Sequence, residues 1–169
     1  KTTTTTKKAT TTTNTKILLV AGHSYSPYCA YTSNECRGVT SSGYDETVET
    51  RVFVQAIKKK LIALGYSASN IDIANELLGE NFNNSSTTRS LYVEILKKNA
   101  GASNTLGNIN FSQYSYAIEV HFNAYNGSAR GVTTLCSSGN CGLATSITTD
   151  IRNGVNSILG GTNYGVLSQ

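Results

Sequence analysis

The chain has 169 residues, of which 38% are hydrophobic, enough to bury a single sizeable core. Lys1, Lys7 and Lys8 supply most of the formal net charge of +4; the other 11 basic residues face 10 acidic ones, which argues against the basic stripe of a nucleic-acid binder. No stretch approaches the roughly 20 apolar residues of a membrane span, and the opening KTTTTT lacks the apolar run of a signal peptide, as in a mature or excised segment.

Residues 1–15 hold ten threonines and no large apolar group. Such a tract buries too little surface to offset its ordering entropy, so a linker is expected, open to glycosylation or to pairing with a sheet edge. The folded domain is expected over 16–169. Residues 17–21 (ILLVA) form the short continuous apolar run of a buried parallel strand. A helix is expected over 47–64, stopped by Gly65, and a second strand over 70–74. After the polar NFNNSSTT loop, Leu91, Tyr92, Ile95 and Leu96 recur at helical spacing, with Ser86 or Thr87 as N-cap. Third and fourth strands are expected over 117–122 and 132–136. Leu143, Ile147, Ile151, Val155 and Ile158 mark an amphipathic helix over 142–159. Strands interleaved with helices predict an α/β sandwich around a mostly parallel sheet.

The two histidines of the chain fall at equivalent places. His23 follows the first strand through Gly22, and His121 lies near the end of the third. In parallel strands both reach the carboxyl edge of the sheet, where open α/β sheets bind ligands. A hydrolytic zinc site commonly takes two histidines and a carboxylate, leaving a position for water. Asp45, Glu46 and Glu49 begin the first helix, and any of them suits a helix N-terminus. With Phe53, Ile57, Leu61 and Leu64 taken as the sheet-facing stripe, Glu46 lies within roughly 15° of its centre and Glu49 about 75° away. Glu46 is therefore the expected third ligand. The chain has no H-E-x-x-H, no G-x-S-x-G and no G-x-x-x-x-G-K.

Cys29 with Cys36, and Cys136 with Cys141, form two local pairs. Two short disulfides in an oxidising compartment are favoured over free thiols. A four-cysteine zinc site ranks last, because neither pair has the tight C-x2-C spacing.

Three blocks of the sequence carry a resemblance: LLVAGH, then ETVETRVFVQAIKKKLIALG, then EVHFNAYNGSARGVTTL. Together they resemble the zinc-dependent N-acetylmuramoyl-L-alanine amidases of the type-3 family, over about residues 16–169. The resemblance implies a three-layer α/β fold and one zinc ion held by His23, Glu46 and His121. It also implies hydrolysis of the amide between muramic acid and L-alanine in peptidoglycan, by a secreted or wall-associated enzyme such as a phage lysin. Asn123 is a candidate substrate contact or turn residue. Arg130 is a candidate for the peptide or muramyl carboxylates, or for a surface salt bridge.

The family's general base is a second glutamate on a late strand. Here the sole acid after His121 is Asp150, inside the final helix. A last strand and helix of the usual domain are therefore expected to be missing, or supplied by a further C-terminal segment or another chain. Glu119, two residues before His121 and on the same strand face, is a candidate replacement base or a structural acid.

Overall fold

A computed structural model describes residues 15–26, 28, 38, 40–41, 43–83, 88–122, 135–136, 141–159 and 167–168. The Thr-rich tract up to residue 14 lies outside them, as do Cys29, Cys36, Asn123, Arg130 and residues 132–134 of the expected fourth strand. The chain divides into two compact units, 1–123 and 124–169.

In the first unit the run of apolar residues at Ile17–Ala21 forms the central strand, β1, buried at every position. Two two-residue strands, β2 (Thr40–Ser41) and β3 (Tyr44–Asp45), pair antiparallel and lead into helix α1 (Glu46–Ala63). Strand β4 (Ile71–Ile73), the single turn α2 (Ala74–Leu77) and helix α3 (Leu91–Asn99) follow, then strand β5 (Tyr116–Val120). The sheet has the order β4-β1-β5 and is parallel throughout.

The two faces of β1 alternate, as the pleat requires. Ile17, Leu19 and Ala21 pack with Val54 of α1 and with Ile71 and Ile73, backed by Ile57 and Leu61. Leu18 and Val20 pack on the other side with Ala74, Leu78 and Ile109, backed by Leu91 of α3. Helices thus cover both faces, giving the three-layer α/β arrangement expected from the sequence.

Three details differ from the sequence expectation. First, the buried stripe of α1 is Thr47, Thr50, Arg51 and Val54 with Glu46, while Phe53 and Leu64 are exposed. It is rotated by about 60° from the apolar stripe, taking 100° per residue. The reason is that Thr50 and Arg51 turn inward and find backbone carbonyls there, which a purely apolar criterion cannot anticipate. Second, the N-cap of α3 is Ser90, whose hydroxyl accepts from the Val93 N–H, not Ser86 or Thr87. Ser90 itself is extended, and just before it Glu80 accepts from the Arg89 N–H while Arg51 and Asn75 donate to the Arg89 carbonyl. Third, β5 ends at Val120, so His121 and Phe122 lie just past the strand.

In the second unit, β6 (Leu135–Cys136) pairs parallel with β7 (Leu167–Ser168), and α4 spans Cys141–Leu159. Cys136 and Cys141 form a disulfide with their Cα atoms 5.5 Å apart, as expected for that pair. Along α4 the buried positions are Ala144 and Thr148, whereas Leu143 and Ile151 of the expected stripe are exposed. Thr148 satisfies its hydroxyl on the Ala144 carbonyl, which lets a polar residue occupy the buried side.

Candidate metal centre

Three elements bring three side chains to one point. β1 delivers His23 past its carboxyl end, β5 delivers His121 past its own, and α1 begins with Glu46 beside them. The parallel register makes this possible: Ala21 lies opposite Val120, and the Gly22 N–H donates to the Val120 carbonyl at 3.0 Å. Beyond that last rung the chains part. His23 takes a left-handed backbone with φ 62°, the single non-glycine residue among those described that does so. Such a conformation costs on the order of 1–3 kcal/mol and persists only where its surroundings enforce it.

The enforcement comes from Arg51. Its guanidinium donates to the Gly22 carbonyl at 2.6 Å, the His23 carbonyl at 2.8 Å and the Arg89 carbonyl at 2.7 Å. Glu80 meets it in a fork, at 2.8 Å on Nε and 3.1 Å on the terminal nitrogen. Thr50 adds a hydroxyl to the Gly22 carbonyl. Asn75 completes the clamp where β4 has ended, accepting from the Ala21 N–H at 2.8 Å and donating to the Ala21 carbonyl at 3.0 Å. Sequence reading missed Arg51, Asn75 and Glu80. The signal for Arg51 was a Thr-Arg pair within about 60° of Val54 around the helix, which reads as a solvated face until its acceptors are known.

The ligand atoms form a small triangle. His23 Nε2 lies 3.0 Å from Glu46 Oε1 and 2.9 Å from His121 Nδ1, and the third edge, Glu46 Oε1 to His121 Nδ1, is 3.5 Å. Metal–ligand bonds near 2.0–2.1 Å in a tetrahedron require edges of about 3.3 Å, so the observed triangle brackets the size for zinc. Two imidazoles and a carboxylate also match zinc chemically. Glu46 is 4% exposed, and its Oε1 accepts the Phe122 N–H at 2.7 Å. Asp45 instead caps the helix, accepting from the Thr47 N–H, and Glu49 does not belong to the trio.

Two glycines make room for the rings. A Cβ on Gly22 would come within 2.7 Å of both ring nitrogens of His121. At Gly38, which has φ +69°, it would come within 2.9 Å of Glu46 Cβ and His23 Cδ2. Only hydrogen fits at either place.

Glu119 lies on the outer side of His121, with Oε1 3.3 Å from Nε2. Hydrogen bonds to Glu119 and Glu46 push the His121 imidazole up to about 9, against the lowering effect of burial. Metal binding therefore has to displace a proton from this histidine. Cys136 and Cys141, being joined to each other, are not candidate ligands.

No known protein family, curated protein or solved structure matches the chain.

Proposed function

We propose that the chain is a zinc-dependent hydrolase domain of the N-acetylmuramoyl-L-alanine amidase type, acting on peptidoglycan. The observation that carries this reading is the triangle of His23, Glu46 and His121 at the carboxyl edge of a parallel sheet. The block EVHFNAYNGSARGVTTL supports the choice of bond, through its resemblance to type-3 amidases. Zinc, when bound, supplies Lewis acidity at the scissile carbonyl and an acidified water. The protein's own part is to hold two imidazoles and one buried carboxylate in fixed positions. Arg51 and Asn75 fix the His23 turn, and the Phe122 N–H orients Glu46. The Cys136–Cys141 disulfide supports an oxidising, extracytoplasmic location. No described helix is long and apolar enough to cross a membrane.

The enzyme reading is tested on purified cell wall. Release of sugar-free stem peptides with new N-terminal alanine, stopped by chelation and restored by zinc, is the expected result. Products cut within the stem, seen by mass analysis, would make it a peptidase instead. His23→Ala, Glu46→Ala and His121→Ala should each lose bound zinc by elemental analysis, while Glu49→Ala retains it.

A second reading is a wall-binding module that keeps the amidase fold without catalysis. It is favoured by the engagement of Glu119 with the imidazole of His121. Wall binding without any new alanine terminus would select it.

A further inference from the structure

A neutral imidazole carries one N–H and one lone pair, and the partner of one nitrogen decides the role of the other. In His121 the two nitrogens face different groups. Nδ1 points to His23 Nε2 at 2.9 Å and Glu46 Oε1 at 3.5 Å, while Nε2 meets Glu119 Oε1 at 3.3 Å. Glu119 stands in β5 two residues before His121, which lies just past the strand end, and the 3.3 Å contact brings the two side chains together. The ring itself is pressed over Gly22, where no Cβ fits. Packing thus fixes the plane of the ring, and a carboxylate faces each nitrogen, Glu46 at Nδ1 and the nearer Glu119 at Nε2.

We propose that Glu119 is a positioning residue of the metal centre. It accepts the Nε2–H of His121, keeps the lone pair on Nδ1 and so makes Nδ1 the metal-binding atom. This assignment rests on the reading of the trio as a zinc site. It gives Glu119 a different task from that of a general base, because its carboxylate lies on the side of the imidazole away from Glu46 and His23. A carboxylate accepting from the distal nitrogen of a ligating histidine fixes the ring and raises its basicity as a donor.

The test compares zinc affinity, by competition with a chromophoric chelator, in the full chain and in Glu119→Ala and Glu119→Gln. It adds the 15N imidazole spectrum of the zinc-loaded wild type. Glu119→Ala is expected to bind zinc roughly 10- to 100-fold more weakly. Glu119→Gln keeps an acceptor oxygen and should lose less. The wild-type spectrum should show His121 protonated at Nε2 and ligated through Nδ1. Equal affinity in Glu119→Ala, or ligation through Nε2, overturns the assignment and leaves the metal centre standing. A wild-type chain that takes up no zinc overturns the metal centre itself, and this assignment with it.

Discussion

At the level of single residues, the centre depends as much on missing atoms as on present ones. Gly38 sits in a left-handed conformation with Glu46 and His23 pressed against its Cα hydrogens. Gly38→Ala should therefore displace both side chains and lower zinc affinity at least about tenfold, a loss like that of disturbing a supporting group. Isothermal titration with zinc checks it, and Gly43→Ala is the control, since that glycine also has positive φ but open space around it. The candidate trio was legible in the sequence. Two histidines at parallel strand ends follow from the strand pattern, while the choice of Glu46 rests on an apolar stripe that the buried face of α1 does not follow, and it is buried all the same. Gly38 was not legible, because it lies in a segment without periodicity.

At the level of elements, α1 does two jobs from adjacent turns: Glu46 belongs to the candidate metal-binding trio and Arg51 holds the loop that carries another member, His23. The Arg51–Glu80 pair is buried on both sides. Removing one member leaves an uncompensated charge in a poorly hydrated place, which costs about 3–5 kcal/mol. Arg51→Met should lower the unfolding free energy by that amount in urea titrations. Helix α3 carries a second buried carboxylate, Glu94, which accepts from Lys97 Nζ at 2.6 Å and from the Thr105 N–H at 2.7 Å. Burial alone would raise its pKa, but these donors hold it below the usual carboxylate value. Its stabilising effect is thus complete above the unfolded chain's pKa and disappears as pH falls through the depressed one. Thermal melts from about pH 5 to pH 3 should show a steeper loss in the wild type than in Glu94→Gln.

Strand and helix order were readable because apolar runs and helical spacing mark them directly. The rotation of α1 was not readable. It follows from Thr50 and Arg51 being satisfied by Gly22 and His23 carbonyls, contacts between residues 28 or 29 positions apart. Likewise the start of α3 at Ser90 depends on Glu80, Arg51 and Asn75 holding the Arg89 backbone just before it. Local propensity at Ser86 and Thr87 carries no trace of those partners.

At the level of the whole molecule, every ligand and every member of the Arg51 clamp belongs to the unit spanning 1–123, while the disulfide belongs to the unit spanning 124–169. The paired variant Cys136→Ser with Cys141→Ser should therefore retain one zinc per chain by elemental analysis, although the second unit loses its crosslink. A zinc content that falls with the disulfide would show that the two units depend on each other for the site.

The parallel register of β1 and β5 also governs timing. His23 and His121 are 98 positions apart and meet only once β5 has docked in register. A slip of one residue would send the side chains of β5 to the opposite face. The distant strand must close its long loop first, a slow event in folding. A metal ion held by this trio would therefore be captured late as the chain assembles, as a latch on a finished sheet rather than as a seed for it.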